Sequence, residues 1–161
     1  MCNLAWHYTT GQKFSLIVEC GELRTTAIHI AHGEKPVIWF STNQKWEPTA
    51  NKLLRNADGT VVRLDQAQTR EMGGGLIRFG IKRQKLLPWF ALLKAARIPK
   101  ATVRSLEQAG IKQGANPLDW WGSLKPVSLD VCEAIEVMNQ NGEWERVFEN
   151  GKPSKDVRGE G

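Results

Sequence analysis

The sequence predicts an α+β fold, with a split, bent and mostly antiparallel sheet and a few short helices. Apolar runs rich in β-forming residues, Val37–Phe40 and Leu76–Ile81, are typical of buried strands. The segment Glu143–Phe148 has an alternating pattern and follows a turn at Asn139–Gly142, which indicates a hairpin. Repeated strand–helix–strand units, which would favour a doubly wound parallel sheet, are absent from the sequence.

The first elements of the chain are a strand and a helix. Residues Asn3–Tyr8 are short, apolar and aromatic, and they predict the first strand. A helix is expected over Gln12–Cys20, because Thr9 or Thr10 can cap its start and Gly21 can end it. This arrangement places His7 near the end of the first strand.

The next strand is expected at Val37–Phe40, and it ends at the polar pair Ser41–Thr42. The segment 43–49 is polar and is predicted to form a loop. Trp46 lies inside this loop, and a large ring in a polar loop directly after a buried strand is a candidate lid for a pocket.

Turn residues divide the rest of the chain into short elements. Residues 52–54 could be helical, and a turn at Asp58-Gly59 precedes a possible strand at 61–64. The glycines at 73–75 break the chain before the strand at 76–81. The remaining predicted elements are helices over 88–96 and 102–109, the second closed by Gly110, a strand within 128–137 and the final hairpin strand at 143–148.

Composition is typical of a soluble globular domain. The chain has 161 residues, of which 41% are hydrophobic and 24% charged, so we expect one domain over 1–150 and a flexible basic tail over 151–161. The net charge of +5 favours anionic partners such as phosphates or nucleic acid.

Cysteine usage and hydropathy suggest the compartment. Cys2, Cys20 and Cys132 show no C-x-x-C spacing, which argues against a disulfide framework and a zinc ribbon. No apolar run approaches the ~18 residues that a membrane span needs. We therefore expect a cytoplasmic protein that needs neither a metal nor a membrane, and the sequence leaves its oligomeric state open.

Three distant segments carry side chains suited to one kind of chemistry. His7 ends a short strand, the pair Trp39-Phe40 precedes the strand end at Ser41, and Glu136 lies inside a third strand-like run. An imidazole can hydrogen-bond a ribose, an aromatic face can cover a flat ring, and a carboxylate can stabilise a glycosyl cation. Together they indicate a site for cleaving an N-glycosidic bond.

These segments resemble motifs of a known family. The pattern h-His-Tyr-Thr-x-x-x-x-Phe-x-x-Ile-x-x-x-Gly-Glu-Leu over Trp6–Leu23 resembles the opening motif of the ADP-ribosyltransferase fold, in the branch of diphtheria toxin and the poly-ADP-ribose polymerases. Val37–Thr42 is similar to the second motif, and Glu136 to the late-strand catalytic glutamate. The tyrosine that this branch keeps after its second strand is missing, since the single tyrosine of the chain is Tyr8.

The resemblance implies an NAD-dependent mono-ADP-ribosyltransferase that transfers ADP-ribose to an acceptor protein or nucleic acid and releases nicotinamide. Glu136 and His7 would be catalytic, with Glu136 on the ribose 2′-hydroxyl and His7 also binding a ribose. The other residues implied in binding NAD are Tyr8 through its backbone, Thr9 beside it, Trp39, Phe40 or Trp46 as the stacking ring, Ser41 at the strand end, and Arg78 for the phosphates.

Other readings of the same residues stay open. His7 could be satisfied by a neighbouring carbonyl, and Glu136 could be an ordinary polar position of an alternating strand. A nucleic-acid-binding module would use the basic residues of Arg78–Lys85 with Trp46, Trp120 or Trp121 as stacking rings. A protein-binding inhibitor or adaptor of a phage, toxin or defence system would use the tryptophans as anchors. An RNA 2′-phosphotransferase-like activity is a further enzymatic alternative.

Overall fold

The computed structural model describes residues 3–27, 30–149 and, for the backbone, 152–153. Four helices lie in this part of the chain: α1 (Gly11–Cys20), α2 (Gln66–Gly73), α3 (Trp89–Ala95) and α4 (Lys100–Lys112). The strands are β1 (Leu4–Thr10), β2 (Glu22–Leu23), β3 (Ile38–Ser41), β4 (Leu53–Arg55), β5 (Val61–Arg63), β6 (Leu76–Lys82), β7 (Leu87–Pro88), β8 (Trp120–Ser123), β9 (Val127–Ser128), β10 (Ala134–Met138), β11 (Trp144–Glu149) and β12 (Lys152–Pro153).

Eight of the strands form one antiparallel sheet in the order β12-β11-β10-β6-β1-β3-β8-β7, and β2–β9 and β4–β5 form two short pairs. The prediction of an α+β fold with a mostly antiparallel sheet is confirmed. The hydrogen bonding of the main sheet is continuous, but β1 and β3 are paired at a single register position, Trp6 opposite Ser41. The two strands therefore separate on one side of this pair.

The N-terminal elements agree with the sequence prediction in kind, but β1 continues to Thr10, so His7 lies in the middle of the strand rather than at its end. The first strand and helix are present, and Gly21 ends α1 with a φ of 71°, a left-handed conformation that glycine adopts without a steric penalty. Thr10 stands at the helix start without a side-chain capping bond. The strand at Val37–Phe40 is confirmed with bounds shifted by one residue, as β3.

Three details of the middle of the chain differ from the prediction. Residues 53–55 are a strand rather than a helix, because the Asp58-Gly59 turn folds them against β5. The helix α2 was not predicted, although Asp65 and Gln68 form a capping box at its start. Gly110 does not close α4, which continues to Lys112, and the space beside Gly110 is filled by Trp120.

Three apolar clusters hold the elements together. The largest lies between α1 and one face of the sheet, and it includes Phe79, Ile77 and Phe40. The second packs α3 and α4 on Trp120, and the third surrounds Trp6 on the opposite face of β1. Both faces of β1 are therefore covered. The sheet opens along the edge of β1 that faces β3, where the two strands separate.

Other expectations concern the C-terminal tail, membrane spans, metal sites and cysteines. The predicted tail from 151 onward lies outside the described residues, except that 152–153 pair with β11. Within the described ranges, no helix has the length and apolar character of a membrane span. Residues 3–27 and 30–149 contain no group of three or more metal-ligating side chains. Cys20 and Cys132 are free thiols, and Cys2 lies outside the described residues.

Candidate functional site

A cavity of about 570 Å³ opens where β1 and β3 separate. This volume is in the range of small-molecule and cofactor sites, ~300–1,000 Å³. β1 contributes Trp6, His7 and Tyr8 to its wall, and β3 contributes its residues 39–41. The segment 49–53 and one side of α4 contribute further lining residues. The cavity thus brings together two of the three segments that the sequence predicted to converge.

His7 spans the gap between the two strands. Its Nδ1 lies 2.8 Å from the carbonyl oxygen of Trp39. A carbonyl oxygen can only accept, so Nδ1 carries the proton and Nε2 of the neutral ring has a free lone pair. Burial lowers the pKa of His7 from 6.5 to about 4, against the opposing effect of that hydrogen bond, and Lys52 and Lys13 lower it further. At neutral pH, His7 therefore offers the cavity a hydrogen-bond acceptor.

The lowered pKa of His7 makes stability depend on pH. The unfolded chain takes up a proton near pH 6.5, whereas folded His7 resists it until about pH 4. Its stabilising contribution is complete above pH 6.5 and is lost as the pH falls through that window, by no more than about 3 kcal/mol. Urea unfolding at about pH 7.5 and about pH 4.5 measures this loss. Between these two pH values, the free energy of unfolding of His7→Gln should fall by less than that of the wild type. Equal losses in the two proteins would contradict the assignment.

Glu47 is the carboxylate that lines the cavity, and it is 6% exposed. Its Oε2 accepts a hydrogen bond from Ser41 Oγ at 2.7 Å, and its Oε1 accepts from Thr49 Oγ1 at 2.7 Å and from Trp120 Nε1 at 3.3 Å. The backbone N–H of Thr49 also donates to Oε1. These donors orient the carboxylate, and all of them are neutral.

Aromatic rings form much of the remaining wall. Phe40 and Trp120 are buried, whereas Trp39 is 40% exposed. Trp89 lies behind them, with its ring centroid 5.8 Å from that of Trp39 and 5.1 Å from that of Trp120. The His7 and Phe40 centroids are 5.7 Å apart. This wall offers flat apolar faces to a planar ligand.

Two cationic side chains, Lys52 and Arg63, line the same cavity. Both residues are exposed, on the segment before β4 and on β5. The lining therefore combines aromatic faces and one buried carboxylate with exposed cations that can meet phosphate oxygens.

Arg78 and Glu136 belong to a second group of side chains, which we call the Arg78 cluster (Arg78, Glu136, Arg146, Trp6 and Trp144). Arg78 is opposite Glu136 in the sheet register, and its guanidinium lies 4.0 Å and 4.4 Å from the ring centroids of Trp6 and Trp144. It binds Glu136 Oε2 through Nε at 2.7 Å, and Arg146 Nη2 binds Glu136 Oε1 at 3.0 Å. Both oxygens of Glu136 are thus held by arginines.

The Arg78 cluster borders the cavity through Tyr8. Tyr8 lines the cavity, and its hydroxyl is 3.3 Å from Arg78 Nη1. The loop after β3 covers the cluster, since the carbonyl of Gln44 accepts from Arg78 and the Gln44 side chain accepts from Trp6 Nε1. Burial raises the pKa of Tyr8 to about 12, against the effect of Arg78, so its hydroxyl stays protonated.

The structure divides the predicted site residues into two sets. His7, Tyr8, Trp39, Phe40 and Ser41 line one cavity. The others stand outside its lining: Glu136 and Arg78 in the Arg78 cluster, Thr9 buried in β1, and Trp46 packed with its ring 5.1 Å from that of Tyr8. Arg78 is 6% exposed and its donors are engaged within the protein.

Sequence reasoning did not single out Glu47. The signal available was a carboxylate in the loop directly after the strand end at Ser41, between Trp46 and Pro48. An acidic side chain in a polar loop is usually solvated, so only its burial in the folded chain distinguishes it. Lys52 and Arg63 were missed because exposed basic side chains are the ordinary case, and only the folded chain brings these two to the cavity.

Comparisons with protein-family models, with curated proteins and with solved structures find no match to this chain. The function is therefore inferred from the cavity and its lining residues.

Proposed function

We propose that this protein is an NAD-dependent ADP-ribosyltransferase that cleaves the nicotinamide–ribose bond and transfers ADP-ribose to a macromolecular acceptor. The observation that carries the proposal is the convergence of His7, an aromatic wall and a buried carboxylate on one cavity at the separation of β1 and β3. The resemblance of Trp6–Leu23 to the opening motif of that family supports the same assignment.

Each part of the lining has a role in this reaction. Neutral His7 accepts a hydrogen bond from a ribose hydroxyl through Nε2, and the aromatic wall holds the nicotinamide ring by stacking. Lys52 and Arg63 meet the diphosphate. Cleavage of the glycosidic bond places positive charge on the ribose, which a fixed carboxylate stabilises.

Two carboxylates are candidates for stabilising the ribose cation. The family resemblance favours Glu136, but in this structure both of its oxygens bind arginines and Tyr8 separates its cluster from the cavity. Glu47 lines the cavity directly. Glu136 can take the role only in a state in which its contact with Arg78 opens. Measuring nicotinamide release in Glu47→Gln and Glu136→Gln, each corrected for its folded fraction, assigns the role.

Nicotinamide release from NAD by the purified protein tests the proposal. We expect turnover above the uncatalysed rate, and a rise in thermal stability with NAD, since saturation at ~100 times the dissociation constant contributes about 2.7 kcal/mol. Absence of both effects would refute the proposal. A stability rise with short RNA but not with NAD would favour the nucleic-acid-binding alternative instead.

A variant of His7 tests the binding role. His7→Ala removes one hydrogen-bond acceptor from the cavity and should weaken NAD binding by about two- to tenfold, the equivalent of one neutral hydrogen bond. His32→Ala is the matched control, because His32 is exposed and does not line the cavity. Equal affinities of His7→Ala and His32→Ala for NAD, by calorimetry, would exclude His7 from the site.

A further inference from the structure

Glu47 is a buried carboxylate without a basic partner in the part of the chain that the structure describes. None of the ion pairs in the described residues includes Glu47. No lysine, arginine or histidine nitrogen among those residues therefore lies within 4.0 Å of the Glu47 carboxylate oxygens. Its partners are hydroxyl, indole and backbone N–H groups. Hydrogen bonds alone offset only part of the cost of burying a carboxylate, so such a group is a candidate for meeting a charged ligand.

The surroundings of Glu47 suit a flat cation. Trp39, Phe40 and Trp120 line the same cavity, and Trp120 donates its indole N–H to Glu47. Aromatic faces attract cations through their quadrupole, and tryptophan does so most strongly. A planar, positively charged ring would meet a carboxylate and π-faces together.

Lys52 and Arg63 limit the choice of ligand further. They line the same cavity, so a ligand that also carries negatively charged groups would gain further contacts there. A ligand with a positive ring joined to a negative diphosphate would be complementary to both. Among nicotinamide dinucleotides, the oxidised form has this distribution of charge, whereas the ring of the reduced form is neutral.

We propose that the cavity selects the pyridinium ring of the oxidised dinucleotide over the neutral dihydropyridine of the reduced one, with Glu47 as the counter-ion of the ring. This inference rests on the proposed function and names the recognition element of the same site. Glu47 acts here as a binding residue, and no bond is formed or broken in the selection.

Binding of two small probes tests the selection without any turnover. 1-Methylnicotinamide carries the pyridinium charge but no glycosidic bond, and nicotinamide is its neutral counterpart. The wild type should bind the cation at least about tenfold more tightly, and NAD more tightly than NADH by a similar factor. Calorimetric titration measures both ratios. A wild type without this preference, including one that binds neither probe, would overturn the inference.

Variants then assign the preference to Glu47. Glu47→Gln has the same shape and can still accept from Thr49 and Trp120, and it should reduce the preference to within about twofold. Glu107→Gln is the matched control, since Glu107 also accepts an indole N–H, from Trp89 at 2.7 Å, but does not line the cavity. An unchanged preference in folded Glu47→Gln, verified by circular dichroism, would overturn the role of Glu47.

The two proposals fail in different ways. If NAD is cleaved but the cation is not preferred, the proposed function stands and the ring selection is wrong. If the cation is preferred through Glu47 but NAD is not cleaved, the selection stands and the transferase proposal is wrong. The nicotinamide-release assay and the probe titrations therefore give independent answers.

Discussion

Replacing Glu136 by glutamine is expected to lower the free energy of unfolding by about 3–5 kcal/mol, because it leaves the buried Arg78 guanidinium without its carboxylate. The side chains of Arg78 and Glu136 are each 7% exposed, so water cannot replace the lost partner. Arg146 loses a partner as well, but its side chain is 38% exposed and contributes less. Trp6 and Trp144 hold the guanidinium in place and prevent it from turning toward solvent.

Urea unfolding followed by circular dichroism measures this effect. Glu133→Gln is the matched control, since Glu133 pairs with Lys82 at 3.2 Å and both side chains are partly exposed. The control should change stability by less than about 1 kcal/mol. Equal midpoints for the two variants would show that the Arg78 cluster does not depend on Glu136. The result also shows whether a loss of activity in Glu136→Gln comes from unfolding or from the missing carboxylate, because either cause would abolish activity.

Replacing Gly11 by alanine is expected to destabilise the protein by about 1–3 kcal/mol, toward the upper end of that range. A Cβ on Gly11 would overlap the carbonyl oxygen of Gly74, a backbone atom that cannot rotate away. The Gly11 N–H also donates to the carbonyl of Gly75 at 3.0 Å, which fixes the separation of the two segments. The sign of the effect is informative, because Gly→Ala at an open helical position is stabilising.

Thermal unfolding of Gly11→Ala and Ser15→Ala checks the close approach. Ser15 is an exposed residue of the same helix, and its replacement should stay within about 0.5 kcal/mol of the wild type. A Gly11→Ala protein as stable as the wild type would mean that α1 is not in contact with the backbone of Gly74 and Gly75. This packing also gives the three glycines before β6, residues 73–75, a structural role.

Local patterns in the sequence predicted much of the fold. The apolar run before Ser41 and the alternating run after Asn139–Gly142 each became strands, and Gly21 ended its helix, because periodicity and turn residues act over a few neighbours. The helix α2 was not predicted, because its sequence, Gln66–Gly73, is polar almost throughout and shows no apolar face.

The site was harder to predict because it depends on long-range pairing. Glu136 faces Arg78 through the register of β10 and β6, and no local pattern in either strand encodes that register. Glu47 is separated by 73 residues from Trp120, the indole that helps to bury it. His7 was expected at the end of the first strand, whereas it lies in the middle of β1, where its ring meets the backbone of Trp39. The neutral state of the ring follows only from the folded surroundings.

We propose that NAD occupies the cavity between β1 and β3. Ala109 on α4 is exposed and lines this cavity, whereas its neighbour Gln108 is exposed and does not. A tryptophan at either position costs no more than about 0.7 kcal/mol of helix propensity, but only Ala109→Trp fills the cavity.

Calorimetric titration of NAD into the wild type, Ala109→Trp and Gln108→Trp is therefore the most direct measurement. We predict that Ala109→Trp binds NAD at least about tenfold more weakly than the wild type, while Gln108→Trp stays within about twofold. Equal affinities in all three proteins, or a wild type that does not bind NAD, would contradict the account.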